Sequence, residues 1–221
     1  MIYLAGCRHE PYQTFKPASN YFPLAQRRFE SFLRNAIEAN EIDLVAEELD
    51  CEYSEQKKRQ SVALNLVIEL KRARTIDHRY CGPTPSKRND LGIGRGLPFI
   101  DDPVDPELSK VIQTAREAHL HDIGHRWPIR ENFWIERLGN DLHCDVLFIC
   151  GALHVCTFAS RLRAKQIPVK VLERFFERPK GWLLSEGNAI EFAACKDVLR
   201  SGFPPDKGCF CVSAPVENSD L

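Results

Sequence analysis

Two periods of apolar residues run along this chain, one of strands and one of helices. The short run Ile2-Tyr3-Leu4-Ala5 ends at Gly6 and predicts a buried strand. Residues 24–40 place Phe29, Phe32, Leu33, Ala36 and Ile37 on one side, the i, i+3, i+4 spacing of an amphipathic helix. Residues 42–46 predict a second strand, closed by Glu47-Glu48-Leu49-Asp50. A helix near 55–73 follows, with Val62, Ala63, Leu66, Val67 and Leu70 on its apolar face, and then a weaker strand over 75–81. Residues 82–104, rich in Gly and Pro, predict a long irregular loop or lid. Asp105-Pro106-Glu107 has the capping chemistry of a helix start. Another helix is expected from near Pro128, carrying Arg130, Phe133, Trp134, Arg137 and Leu138.

The clearest strand is 145–150, whose continuous apolar run suits burial on both faces. Gly151-Ala152-Leu153-His154 turns into a helix reaching Leu162, and Val169-Lys170-Val171-Leu172 predicts the last strand. Strands alternating with helices predict an α/β fold, a mostly parallel sheet with helices on both faces. The expected division is an α/β domain over 1–175 and a small irregular C-terminal appendage over 176–221.

Composition narrows the class. The 30 Lys+Arg nearly balance 31 Asp+Glu, for a formal charge of −1, which argues against a nucleic-acid partner held by a basic surface. No apolar stretch reaches the length of a membrane span, so no membrane partner is expected. The 9 Cys are odd in number and scattered, several of them inside apolar runs, with no Cys-x-x-Cys pair. They predict reduced thiols and a cytoplasmic setting.

Three polar positions share one address. His9 lies just past the first strand, Glu48 past the second and His154 past the 145–150 strand. Ligands of open α/β sheets bind outside the carboxyl ends of the strands. Both histidines follow a glycine by three residues, Gly6 and Gly151, where the backbone can turn tightly and admit a ligand or cofactor. His154 at a helix start favours a neutral imidazole, the form that ligates a metal or accepts a proton. Two imidazoles and a carboxylate suit a divalent ion, with Mn, Co, Fe or Zn all open. Glu47 or Asp50 is the candidate second carboxylate, and strand alternation allows only one of Glu47 and Glu48 to face the site. Cys7 and Cys150 offer an alternative, a thiolate nucleophile. No Gly-x-Ser-x-Gly elbow or phosphate loop is present.

These segments resemble a known family. Residues 2–9, 43–50 and 146–154, with their two Gly-x-x-His motifs and a glutamate after the second strand, are similar to the core motifs of the TraB/PrgY/Tiki group. That group shares a superfamily with erythromycin esterases and haem-binding ChaN-like proteins. The resemblance spans roughly residues 1–50 and 125–172. It favours Glu48 over Glu47, and it points to Arg130 as the helix-borne arginine that completes the site, here followed by Glu131. It implies metal-assisted hydrolysis of a peptide or ester bond, with a peptide or small molecule as substrate. The alternative is a non-catalytic module holding a small ligand, haem or a nucleotide in the same crevice. A homo-oligomer is left open.

Overall fold

The computed structural model describes residues 1–7, 12–15, 23–50, 52, 60–93 and 122–177. Five parallel strands form the central sheet: β1 (Ile2–Cys7), β3 (Leu44–Glu47), β5 (Asp77–Tyr80), β6 (Val146–Gly151) and β7 (Val169–Glu173). Their order is β5-β3-β6-β1-β7, so β6 is inserted between strands that precede it in the chain. Its residues 146–150 are completely buried, which explains why they read as an unbroken apolar run. A second, two-stranded antiparallel ribbon joins β2 (Thr14–Phe15) to β4 (Gln60–Ser61), a pairing too short to leave a trace in the sequence.

Helices cover both faces, as the alternation predicts. On one side, α1 (Pro23–Ala39) and α2 (Val62–Leu70) pack Phe29, Leu33, Ile37, Val62 and Leu66 against Ala5, Val45, Leu147 and Ile149. On the other, α4 (Trp127–Leu138) and α5 (His154–Ala164) pack Trp134, Leu138, Phe158 and Leu162 against Leu4, Ala46, Phe148 and Cys150. Strand residues thus feed the two cores alternately. Each fully buried large side chain contributes about 1.5–3 kcal/mol.

Several boundaries differ from expectation for local reasons. The second helix begins at Val62 because Ser61 caps it, its hydroxyl accepting the Leu64 amide at 3.0 Å. The segment expected to be irregular opens with a short helix, α3 (Pro85–Asp90), capped by Thr84 with Pro85 in the first turn. Arg88 pins this helix, donating to the Pro83 carbonyl at 2.9 Å and to Asp50 at 3.2 Å. Residues 94–104 of the expected lid, the helix expected from Asp105 and the appendage beyond 177 lie outside the described residues. The chain leaving β7 is tied down instead of released: Phe176 packs on Tyr12, Phe29 and Phe32, and Glu177 accepts from Tyr12 at 2.9 Å and from Arg28. Among the described residues no helix is long and apolar enough to cross a membrane.

Candidate functional site

The sheet order puts two of the predicted polar positions, Glu48 and His154, along one edge. β1 and β3 flank β6 and run parallel to it, so all three strands end on the same side. The chain after β3 builds α2 on one face, whereas the chain after β6 builds α5 on the other. In open α/β sheets, ligands bind at the carboxyl edge where connections diverge in this way. Cys7 lies opposite Gly151, and the Ala152 amide donates to the Cys7 carbonyl at 3.0 Å. Glu47 lies opposite Ile149, and the Glu48 amide donates to the Ile149 carbonyl at 3.0 Å. Glu48 and His154 therefore cap neighbouring strands, with 7% and 6% of their surfaces exposed. His9, two residues past the end of β1, lies outside the described residues.

The charge of Glu48 reaches the ends of both β1 and β6. Burial pushes the Cys7 thiol well up, and the carboxylates of Glu48 and then Glu47 push it further. Burial likewise raises Cys150, and the charges of Glu48 and Glu131 add to it. These two thiols belong to opposite cores and stay protonated, which opposes the thiolate-nucleophile alternative. Cys7, Cys81, Cys144, Cys150 and Cys156 are all free thiols.

His154 is the first residue of α5 and is held from outside its own helix. Its Nδ1 lies 3.0 Å from Oε1 of Glu131, a carboxylate of α4 with 0% exposure. Thr157 donates to the same oxygen at 2.6 Å, and Arg161 Nε donates to Oε2 at 3.0 Å. The ring also lies tilted against Trp127, with centroids 4.2 Å apart, and meets Trp134 edge-on at 5.1 Å. Arg130, the helix residue singled out by motif, is half-buried one position earlier. The inward position belongs to Glu131, within the stripe Trp127, Glu131, Trp134, Ile135 and Leu138. A carboxylate at core spacing inside an apolar stripe is the sequence signal for it.

Glu47, the last residue of β3, has a defined place. Glu47 turns into the α1/α2 side, where Oε1 accepts from the Ser61 hydroxyl and meets His78 Nε2 at 2.7 Å. Its Oε2 is buried with no hydrogen-bond partner among the described residues. Ser61 and His78 were not foreseeable as partners, because they come from the cap of α2 and from the weakest strand. Asp50, the other candidate carboxylate, is buried against Arg88. At Gly6 an added Cβ would stand 2.1 Å from the Arg174 carbonyl and 2.5 Å from Val155, so its missing side chain admits the protein's own chain. Gly151 ends β6 half-buried, directly before the turn into α5.

As for a metal, the donor chemistry fits: one buried carboxylate and one imidazole whose Nδ1 is already engaged, which leaves Nε2 for ligation. No group of three metal-ligating side chains forms among the described residues, which exclude His9. No family model, no curated protein and no solved structure matches the chain. The resemblance to the TraB/PrgY/Tiki motifs therefore rests on the residues themselves.

Proposed function

We propose that the crevice beside β6 is the active site of a metal-assisted hydrolase of the TraB/Tiki-like type, acting on a peptide or ester bond. The observation that supports this reading is that Glu48 and His154 follow the carboxyl ends of the adjacent strands β3 and β6, while β1, whose last residue Cys7 precedes His9 by two, ends on the other side of β6. His9, Glu48 and His154 hold a divalent ion (Mn, Co, Fe or Zn). Such an ion, when bound, polarises the scissile carbonyl and brings the pKa of water towards neutrality. Arg130 balances negative charge that develops on the substrate. Glu47, committed to Ser61 and His78, buttresses the end of β3 from within. A cytoplasmic enzyme with reduced thiols is consistent with the five cysteines that are free thiols among the described residues.

A panel of peptides and esters assayed with each ion tests the reading. Turnover that is abolished by chelation and in His154→Ala and Glu48→Gln is the expected result. Tight binding of an ion, haem or a nucleotide without turnover of any substrate would overturn it in favour of a binding module.

A further inference from the structure

We infer that Glu131 is the positioning residue of this site: it fixes the His154 imidazole with the proton on Nδ1, which leaves the Nε2 lone pair as the reactive donor. This rests on the reading that the carboxyl edge of β6 is the functional site, but its chemistry is testable apart from any reaction. Both oxygens of Glu131 accept, Oε1 from Thr157 and Oε2 from Arg161, so in the 3.0 Å contact between Nδ1 and Oε1 the carboxylate is the acceptor and Nδ1–H the donor. A neutral imidazole carries one N–H, and Nε2 is then the unprotonated nitrogen.

The surroundings serve this orientation. His154, Thr157 and Arg161 are spaced i, i+3 and i+7 on α5, so one face of that helix presents three donors to a single carboxylate of α4. Burying a carboxylate completely is costly unless its charge is matched. Arg161 at 3.0 Å supplies that match on Oε2, leaving Oε1 for His154 and Thr157. A structural ion pair between the two helices would need only Glu131 and Arg161. The added histidine contact comes from the first residue of α5, and its ring lies between Trp127 at 4.2 Å and Trp134 at 5.1 Å, which limits the ring orientations that fit. Carboxylates that hold a metal-ligating histidine in this way typically contribute 10–100-fold to affinity.

The test is long-range proton–nitrogen NMR of the metal-free, 15N-labelled full chain, with His154 assigned from the signals lost in His154→Gln. The expected result is Nδ1–H with unprotonated Nε2 in the wild type, and loss of that preference in Glu131→Gln. Thr157→Val, which removes a different donor from the same oxygen, should keep the wild-type tautomer. The wild-type spectrum decides even if Glu131→Gln fails to fold: Nε2–H there overturns the proposal. A folded Glu131→Gln that retains Nδ1–H overturns it equally. In a zinc titration the Glu131→Gln dissociation constant should rise roughly 10–100-fold. The expected tautomer in a protein that binds no divalent ion supports the role of Glu131 and counts against the hydrolase, so the two failures are distinguishable.

Discussion

Replacing Gly82 by alanine should disturb the end of β3 more than its size suggests. Gly82 follows β5, and its amide donates to the Leu49 carbonyl at 2.8 Å. An added Cβ would stand 2.2 Å from the Glu48 carbonyl oxygen, 2.6 Å from the Leu49 carbonyl carbon and 2.7 Å from its oxygen. All three atoms are backbone, so no change of rotamer relieves the clash. A carbon–oxygen contact normally sits near 3.3–3.6 Å, so one strand end must retreat by about 1 Å. Overpacking of this kind costs about 1–3 kcal/mol, which lowers the melting temperature by roughly 2–12 °C in a protein of this size.

Two other glycines are internal controls. Gly124 has open space around it and no left-handed backbone, so Gly124→Ala should stay within about 0.5 kcal/mol of wild type. Gly92 also has open space but a φ of +66°, so Gly92→Ala should cost about 1–2 kcal/mol from backbone strain alone. Thermal and urea unfolding of the three variants measure the order. A Gly82→Ala protein that melts within about 1 °C of wild type would refute the packing argument.

Further predictions concern charge and thiols. The hydrogen bond from Arg28, assisted by one from Tyr12, holds the Glu177 carboxyl below its ordinary range. Its folded value is thus below its unfolded one, so its contribution is complete above the unfolded value of about 4.3 and disappears as pH falls through the lower folded value. The stability difference between wild type and Glu177→Gln, measured by urea unfolding, should shrink across that acid window, and a difference that grows there contradicts the assignment. Burial pushes Cys81 up to about 12 and raises Cys7 and Cys150 well above the usual thiol range. Native-state alkylation near pH ~8 should therefore spare these three while half-buried Cys144 reacts, and early labelling of Cys7 or Cys150 in mass spectrometry would count against their burial.

What the sequence made legible was whatever local pattern and global packing share. The spacing of Phe29, Leu33, Ala36 and Ile37 predicts α1 because one helix face meets the sheet, and the run 146–150 predicts β6 because both of its faces are covered. The common edge of Glu48 and His154 is also readable, since parallel winding brings strand ends together however far apart they lie in the chain. The pairing of Glu131 with His154 is not. Its stabilising donors Thr157 and Arg161 come from a different helix, so the stripe of α4 marks Glu131 as inward but says nothing of its partners. The same holds for Glu47, whose partners Ser61 and His78 reach it through a cap and a neighbouring strand. Element ends escaped for a related reason: a cap such as Ser61, or a clamp such as Arg88 on Asp50, stops or pins a segment through one side chain that periodicity does not weigh.

The central claim is that His9, Glu48 and His154 act as one ligand set. Equilibrium binding of Mn, Co, Fe and Zn to the metal-free chain, compared with His9→Ala, Glu48→Gln and His154→Ala, addresses it directly. Glu131 keeps Arg161 and Thr157 when His154 is removed, so that variant should remain folded by circular dichroism. The account predicts about one ion per wild-type chain and a sharp loss of occupancy in each variant, because every ligand of a three-residue site contributes directly to holding the ion. A wild-type protein that binds none of the four ions, or three variants that bind as well as it does, would contradict it.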